Sequence, residues 1–359
     1  MNPAIEGIGC LTGIAPWKRK RLQKMLANAN GPPVVSNPRK AVETARRNGG
    51  ALASWASRTD PRLGQMTREA GVEHWIIEDG FIRSVGLGAA LVQPCSVLVD
   101  RCNAHYDSRK PSDLEKLLQK AEFSDELLAR SKNLIASIRS NDITKYNLKG
   151  RECDIPRDRK VVLVIGQVED DLSVILGSEC RRLTDYLGVV RDLEPEAKIV
   201  FKPHPDVVAG LRRGTVKIEE GVLISTDNIC SLFDIADSVH TLTSLAGFEA
   251  LLRGKQVTVH GQPFYSGWGL TNDMDPVERR TRNLSLVELV AGALIEYPVY
   301  CHPDTGRRCE VEELVELLAA NGKAELPGNF RRIPARLAES IGRRFRRPGG
   351  GQDAASANL

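Results

Sequence analysis

Short apolar runs punctuate the chain, and between them stand segments whose apolar residues recur at helical spacing. In the first part, "IEGIGC" (5–10), "PVVS" (33–36), "ALASWA" (51–56) and "HWIIED" (74–79) read as strands. The segments "WKRKRLQKMLANA", "PRKAVETARRNG" and "RLGQMTREAG" between them read as helices. A second series, "KVVLVIGQ", "AKIVFKPHP", "GVLIST", "DSVHTLTS" and "KQVTVHG", follows from residue 160, with helices such as "SLAGFEALLRG" among them. This alternation predicts parallel sheets with crossover helices. Separating the two series is "PSDLEKLLQKAEFSDELLARSKNLIASIRSNDI", helical in spacing, with Ser112 and Ser124 as N-caps. The expectation is an α/β, GT-B-like protein in which two Rossmann-like domains, residues 1–155 and 156–328, face each other across a cleft. Ligands then gather at the carboxyl ends of the strands.

Composition narrows the class. A chain of 359 residues, 42% hydrophobic, supports two domains with real cores. Lys and Arg total 50 against 46 Asp and Glu, a formal charge of +4 that gives no signal for nucleic acid. Eight cysteines occur without a C-x-x-C pair, against a zinc site or a disulfide framework and in keeping with a reducing cytoplasm. The basic run "KRKR" comes after the first apolar stretch, the reverse of a secretory signal, and no run reaches the ~20 apolar residues that span a bilayer. A soluble or peripheral protein is expected.

Four polar strand ends carry the candidate chemistry. "GQVEDD" (166–171) sets three acids after an apolar run; "KPHP" (202–205) offers Lys202 and His204; "TLTS" (241–244) opens a helix with Thr243 and Ser244; "IIEDGFIRS" (76–84) ends in Glu78 and Asp79, with Arg83 following. Each has an ordinary reading as well: an acidic turn, a turn histidine, a Ser/Thr N-cap, a solvated ion pair. A helix start bearing hydroxyls is also suited to phosphate. The glycines at 7, 9 and 13 miss the dinucleotide G-x-G-x-x-G spacing, so no NAD follows. No second acidic or histidine cluster completes a metal site around "EDD", so metal-independent chemistry without a cofactor is expected. "QPFYSGWG" (262–269) is a loop anchor or a stacking surface, and "ERRTR" (278–282) an anion site or a surface charge run.

The stretches "EDGFIRSVGLG", "YDSRKPSDLEKLL", "GQVEDDLS", "KPHPDV", "TSLAGFEALLRGKQVTVHGQPFYSGWGLTND" and "LVAGALIEYPVY" resemble, in order, the KpsC-type capsule polysaccharide proteins, which are bacterial β-Kdo glycosyltransferases. The resemblance implies a retaining transferase that moves Kdo from CMP-Kdo to a lipid-linked acceptor, either β-Kdo-terminated or of phosphatidylglycerol type, in capsule biosynthesis. Family members often carry two modules, and this chain has room for one, closer to the first. Comparing the module types leaves Gln167, Asp171 and Ser173 as shared positions. Asp171 is then the nucleophile of a double displacement, with Asp170 a neighbour tuning it and Glu169 a solvated turn residue. Front-face attack is the other retaining route. Glu78 or Asp79 is the base, with Asp79 slightly preferred. The same comparison gives His204, Thr243 and Ser244 to the CMP phosphate, Glu249 to the ribose, and Lys202 and Arg83 to the Kdo carboxylate. A nucleotide-sugar epimerase of the same architecture and a noncatalytic capsule-export adaptor are the competing readings.

Residues 329–350 are rich in arginine, with Phe330, Ile333, Leu337, Ile341 and Phe345 at helical spacing. They read as a basic amphipathic helix suited to the anionic face of the inner membrane, or as a solvated or partner-binding tail. The last residues, 351–359, read as disordered. A cytoplasmic protein, peripheral at the inner membrane, is the expectation.

Overall fold

The structure is a computed structural model that describes residues 3–180, 182–212 and 221–327. The basic helix expected over 329–350 and the tail beyond it lie outside the described residues. No helix among the described residues is long and apolar enough to cross a membrane.

The first apolar runs become β1 (Ile8–Thr12), β2 (Val34–Val35), β3 (Ala51–Trp55) and β4 (His74–Asp79), paired in parallel in the order β4-β3-β1-β2. Between them run α1 (Arg19–Met25), α2 (Pro38–Arg47) and α3 (Leu63–Ala70). Helix α2 starts as its sequence dictates, with Asn37 accepting the Lys40 N–H and Pro38 at the first position. A strand that the periodicity did not announce, β5 (Ser96–Asp100), then turns antiparallel to β4. The linking helices are α4 (Asp113–Lys120) and α5 (Asp125–Ser140), and Ser112 and Ser124 cap them by accepting the N–H groups of Glu115 and Leu127.

The second sheet is wholly parallel. Its strands are β6 (Val161–Ile165), β7 (Lys198–Lys202), β8 (Val222–Ile224), β9 (Ser238–Thr241), β10 (Gln256–Val259) and β11 (Asn272–Asp273), in the order β11-β10-β9-β6-β7-β8. Every residue of "VVLVI" in β6 is buried, as a central strand covered on both faces requires. The helices of this half are α6 (Leu172–Gly177), α7 (Leu183–Leu193), α8 (Pro205–Val208), α9 (Ile229–Ile235) and α10 (Leu245–Leu252).

After α11 (Leu286–Val290) and a π-helical turn at Ala291–Glu296, the chain goes back to the first half. There β12 (Pro298–Cys301) pairs antiparallel with β5, and β13 (Arg308–Cys309) pairs with β12. This corrects the expected contiguous division at residue 155: the second sheet does begin with β6, but residues 298–309 complete a mixed, seven-stranded first sheet. The physical reason is β5, whose buried residues would otherwise present an open edge. Helix α12 (Val311–Ala320) ends the described fold, packing its Leu314, Val315 and Leu318 into a core shared with α4, α5 and the second sheet.

Beside that core lies a buried imidazole pair: His240 Nδ1 and His260 Nε2 stand 3.1 Å apart. Burial pushes both down from 6.5 to about 4. The unfolded chain takes up these protons near 6.5 and the folded one only near 4, so the unfolded state binds more protons in between. Stability should therefore fall as pH drops from about 6.5 towards 4. Melting temperatures measured across that range should decline more steeply for the wild type than for a His240→Asn, His260→Asn double variant.

Candidate active site

The order of the second sheet places its switch point between β6 and β9, because β6 to β8 run one way from it and β9 to β11 the other. A crevice opens outside the carboxyl ends of two such strands. "GQVEDD" follows β6 and "TLTS" ends β9, so the two segments meet there. Gln167 Nε2 donates to Thr243 Oγ1 (2.9 Å), and Gln167 Oε1 accepts the Thr243 N–H (2.8 Å). Thr243 Oγ1 donates to Ser173 Oγ (3.2 Å), which donates to Asp171 Oδ1 (2.9 Å). The Ser173 N–H reaches the same oxygen at 2.9 Å, making Asp171 the N-cap of α6. Donors thus run in one direction from Gln167 to Asp171 and orient its carboxylate. Among the described residues these bonds fall on Oδ1, leaving Oδ2 for other work.

His204 caps α8 by accepting the Asp206 N–H on Nδ1 at 3.1 Å. Burial lowers its pKa, so the imidazole is neutral with its proton on Nε2, a donor fit for a phosphate oxygen. Ser244 caps α10 through the Ala246 N–H.

On the first sheet, β4 ends in two acids of opposite character. Asp79 lies 3.2 Å from Lys18 Nζ and 3.1 Å from Arg83 Nε. Burial alone would raise it, but Lys18, Arg83 and Lys145 together hold it below the usual carboxylate range. Glu78 is pushed up to about 7 by burial and by the adjoining charge of Asp79. Arg83 is 1% exposed and sits against Gly88, where a Cβ would come within 2.6 Å of its Nη2. That Nη2 has no hydrogen-bond partner among the described residues.

The two halves converge on one spot. The Tyr106 phenol is raised by burial and then by Glu78 and Asp171 together. His105, held against Phe81 and Phe264, is lowered to about 3 by burial and feels Asp171 as well. Lys145 lies among all of these: its charge couples to Asp79, Asp171, Glu78, His105 and His204. Sequence reasoning missed Lys145, His105 and Tyr106. "YDSRK" carries Tyr106 inside a quoted stretch, but "NDITKYNLKG" holds no motif that marks Lys145.

Other expected site residues are engaged elsewhere. Lys202 Nζ donates to the Asp227 carbonyl at 2.7 Å, and burial lowers it to about 8. Glu249 is buried and accepts the Lys145 backbone N–H at 2.6 Å, so it braces a turn. Asp170 is 79% exposed and paired with Arg212 at 2.6 Å. Glu169 is exposed as expected, yet it also accepts the Leu183 N–H at the start of α7 (2.9 Å). In "ERRTR", Arg279 and Arg280 clamp Glu115 of α4 and Arg282 pairs with Glu288, so the run is a brace between segments and neither an anion site nor a free surface. Phe264, Tyr265 and Trp268 are buried, which makes "QPFYSGWG" an anchor.

Asp100, Cys102 and Asp113 bring potential ligand atoms within 4.8 Å of one another. Asp100 is already saturated by the N–H groups of Cys102, Asn103 and Asp113 and by the Tyr297 hydroxyl. That donor set suits a hydrogen-bonded turn better than a cation.

A family model described as capsule polysaccharide biosynthesis protein matches residues 51–300. The chain is 37% identical over 326 residues to the capsule polysaccharide modification protein LipA of Neisseria meningitidis serogroup B, a match covering 88% of this chain and 46% of that one. It therefore spans about half the length of this curated relative. Identity to the lipopolysaccharide-processing protein LpsZ of Rhizobium meliloti is 36% over 344 residues, 92% of this chain and 76% of that one. Among solved structures, the Thermosulfurimonas dismutans KpsC β-Kdo 2,4 transferase aligns with a TM-score of 0.77 at 31% identity, over 87% of this chain and 98% of that one. The KpsC β-Kdo 2,7 transferase from the same organism gives 0.70 at 33%, over 88% and 99%. The α/β, GT-B-like architecture read from the alternating pattern is the one these structures share.

Proposed function

Because the chain belongs to the family of capsule polysaccharide biosynthesis proteins, we propose that it is a retaining β-Kdo transferase that takes Kdo from CMP-Kdo and passes it to a lipid-linked acceptor. The reading leans on the likeness to the two KpsC transferase structures. The observation that carries the mechanism is the directed chain from Gln167 through Thr243 and Ser173 to Asp171, which acts together with Glu78 on the Tyr106 phenol.

In the first displacement Asp171 Oδ2 attacks the anomeric carbon, the bond to the CMP phosphate breaks, and the electron pair leaves with the phosphate. His204 Nε2–H and the positive end of the α10 dipole, beside Thr243 and Ser244, receive that charge. In the second, the acceptor hydroxyl gives its proton to Glu78 as its oxygen displaces Asp171. Two inversions return the original configuration. With its carboxyl near 7, Glu78 is the better proton acceptor of the β4 pair, and Asp79, held as an anion by two cations, positions them.

Incubation with CMP-Kdo and a β-Kdo-terminated acceptor, followed by product mass and linkage determination, tests the reading. An epimerase would convert the nucleotide sugar without acceptor, and an adaptor would consume neither. We also propose that the basic residues 329–350 dock on an anionic membrane. At about 1 kcal/mol per basic residue near such a surface, removing them should weaken binding to anionic vesicles and leave transfer to a soluble acceptor intact. Unchanged vesicle binding would remove that assignment.

A further inference from the structure

A sugar acid brings its own anion to the reaction. In a 2-keto sugar acid the carboxylate is attached directly to the anomeric carbon, so a nucleophilic carboxylate that reaches this carbon also meets a like charge one bond away. Some cation must stand at that point. Of the two cations expected there, Lys202 is tied to the Asp227 carbonyl, and Arg83, though its Nη2 is unpartnered among the described residues, is buried against Gly88 and paired through Nε with Asp79.

Lys145 stands where the need arises, and it is held there from both halves of the molecule. Its backbone carbonyl accepts the N–H groups of Arg83 (3.1 Å) and Ser84 (3.2 Å) from the first half. Its own N–H donates to Glu249 of α10 at 2.6 Å, and Arg253 of the same helix donates to the Ile143 carbonyl at 3.1 Å. Asn147 closes the turn, exchanging hydrogen bonds with Thr144 (3.0 and 3.1 Å) and donating to the Ser84 carbonyl (3.0 Å). All of these fix the backbone and none uses the Lys145 ammonium, which lies 5.2 Å from the Tyr146 ring centre. Of the two carboxylates whose charge acts on it, Asp79 is already balanced by Lys18 and Arg83, and Asp171 has no ion pair among the described residues.

We propose that Lys145 seats the carboxylate of the donor sugar between the two strand-end acids and so selects a sugar acid over a neutral sugar. The proposal rests on the transferase reading above. Since the clamp uses backbone atoms, Lys145→Met should keep the fold, which its melting temperature checks, and Lys145→Arg keeps the charge.

The decisive measurement crosses these variants with three ligands: CMP, CMP-Kdo and the carboxamide of CMP-Kdo. Lys145→Met should raise the KM for CMP-Kdo by about 10- to 100-fold, in line with the loss of a charge-assisted hydrogen bond, and leave CMP binding unchanged. Wild type and Lys145→Met should treat the carboxamide alike, and Lys145→Arg should recover most of the difference. Equal weakening of CMP and CMP-Kdo would overturn the assignment in favour of a general structural role, as would an unchanged KM for CMP-Kdo. A wild-type protein that neither binds nor turns over CMP-Kdo would instead sink the transferase reading, and this inference with it.

Discussion

Asp171→Asn should lower transfer by about three orders of magnitude or more, with a melting temperature close to that of the wild type. The residue has two duties that different substitutions separate. As N-cap of α6 it accepts the Ser173 N–H, and an asparagine oxygen does this as well as a carboxylate. As nucleophile it must supply an anionic oxygen, which the amide cannot. Asp171→Ala removes both, so it should add about 1 kcal/mol of destabilisation to the same kinetic loss. If Asp171→Asn transfers at near wild-type rates, the side chain is a cap and nothing more. Intact-protein mass spectrometry with CMP-Kdo should show a Kdo adduct that maps to Asp171, most readily where the second displacement is slowed.

Glu78→Gln supplies that slowing. Loss of a general base costs about 10²- to 10⁴-fold, and the adduct should accumulate in this variant. The pH dependence follows from the environment of the acid. Burial and Asp79 place Glu78 near 7, and a base works only when deprotonated, so wild-type transfer should rise with pH through about 7. The residual activity of Glu78→Gln should lack that limb. Asp79→Asn should behave differently. It strips the partner from Lys18 and Arg83, two buried cations, and should destabilise the fold by about 3 kcal/mol, a loss visible in chemical denaturation. It also removes the charge that raises Glu78, shifting the limb to lower pH. A stable Asp79→Asn protein with an unshifted pH profile would contradict this division of labour.

The two acids also show where sequence reading stops. That "HWIIED" ends a strand in carboxylates is plain from its letters, but which is tied and which is free depends on Lys18 from after β1 and Arg83 from the following loop. The parallel strands were legible because each is an apolar run followed by a helical one. β5 and β12 were not, since their antiparallel pairing is set by contacts between residues about 200 positions apart. Gln167, Thr243 and Asp171 were nominated one by one at strand ends. Their joining into one hydrogen-bonded line came from the reversal of strand order between β6 and β9, which no local pattern encodes. Lys145 was invisible for the same kind of reason. Its neighbours come from β4, from the loops after β5, β6 and β7, and from α10. In "ERRTR" the letters suggested solvent, but Glu115, more than 160 residues earlier, draws Arg280 into the interior.

The return of β12 to β5 also sets a timetable for the growing polypeptide on the ribosome. When Asp100 emerges, β5 has its β4 partner but must wait for Pro298 before its other side is covered. At about 5 to 20 residues per second, that delay for roughly 200 residues lasts on the order of 10 to 40 seconds. Through that interval the nascent first sheet carries the uncovered edge of β5, a surface for chaperones or for neighbouring nascent chains on the same messenger. Translation speed over the codons for residues 101 to 297 therefore belongs among the determinants of the yield of folded protein. Slowing it should favour aggregation in a way that slowing the codons for residues 1 to 100 should not.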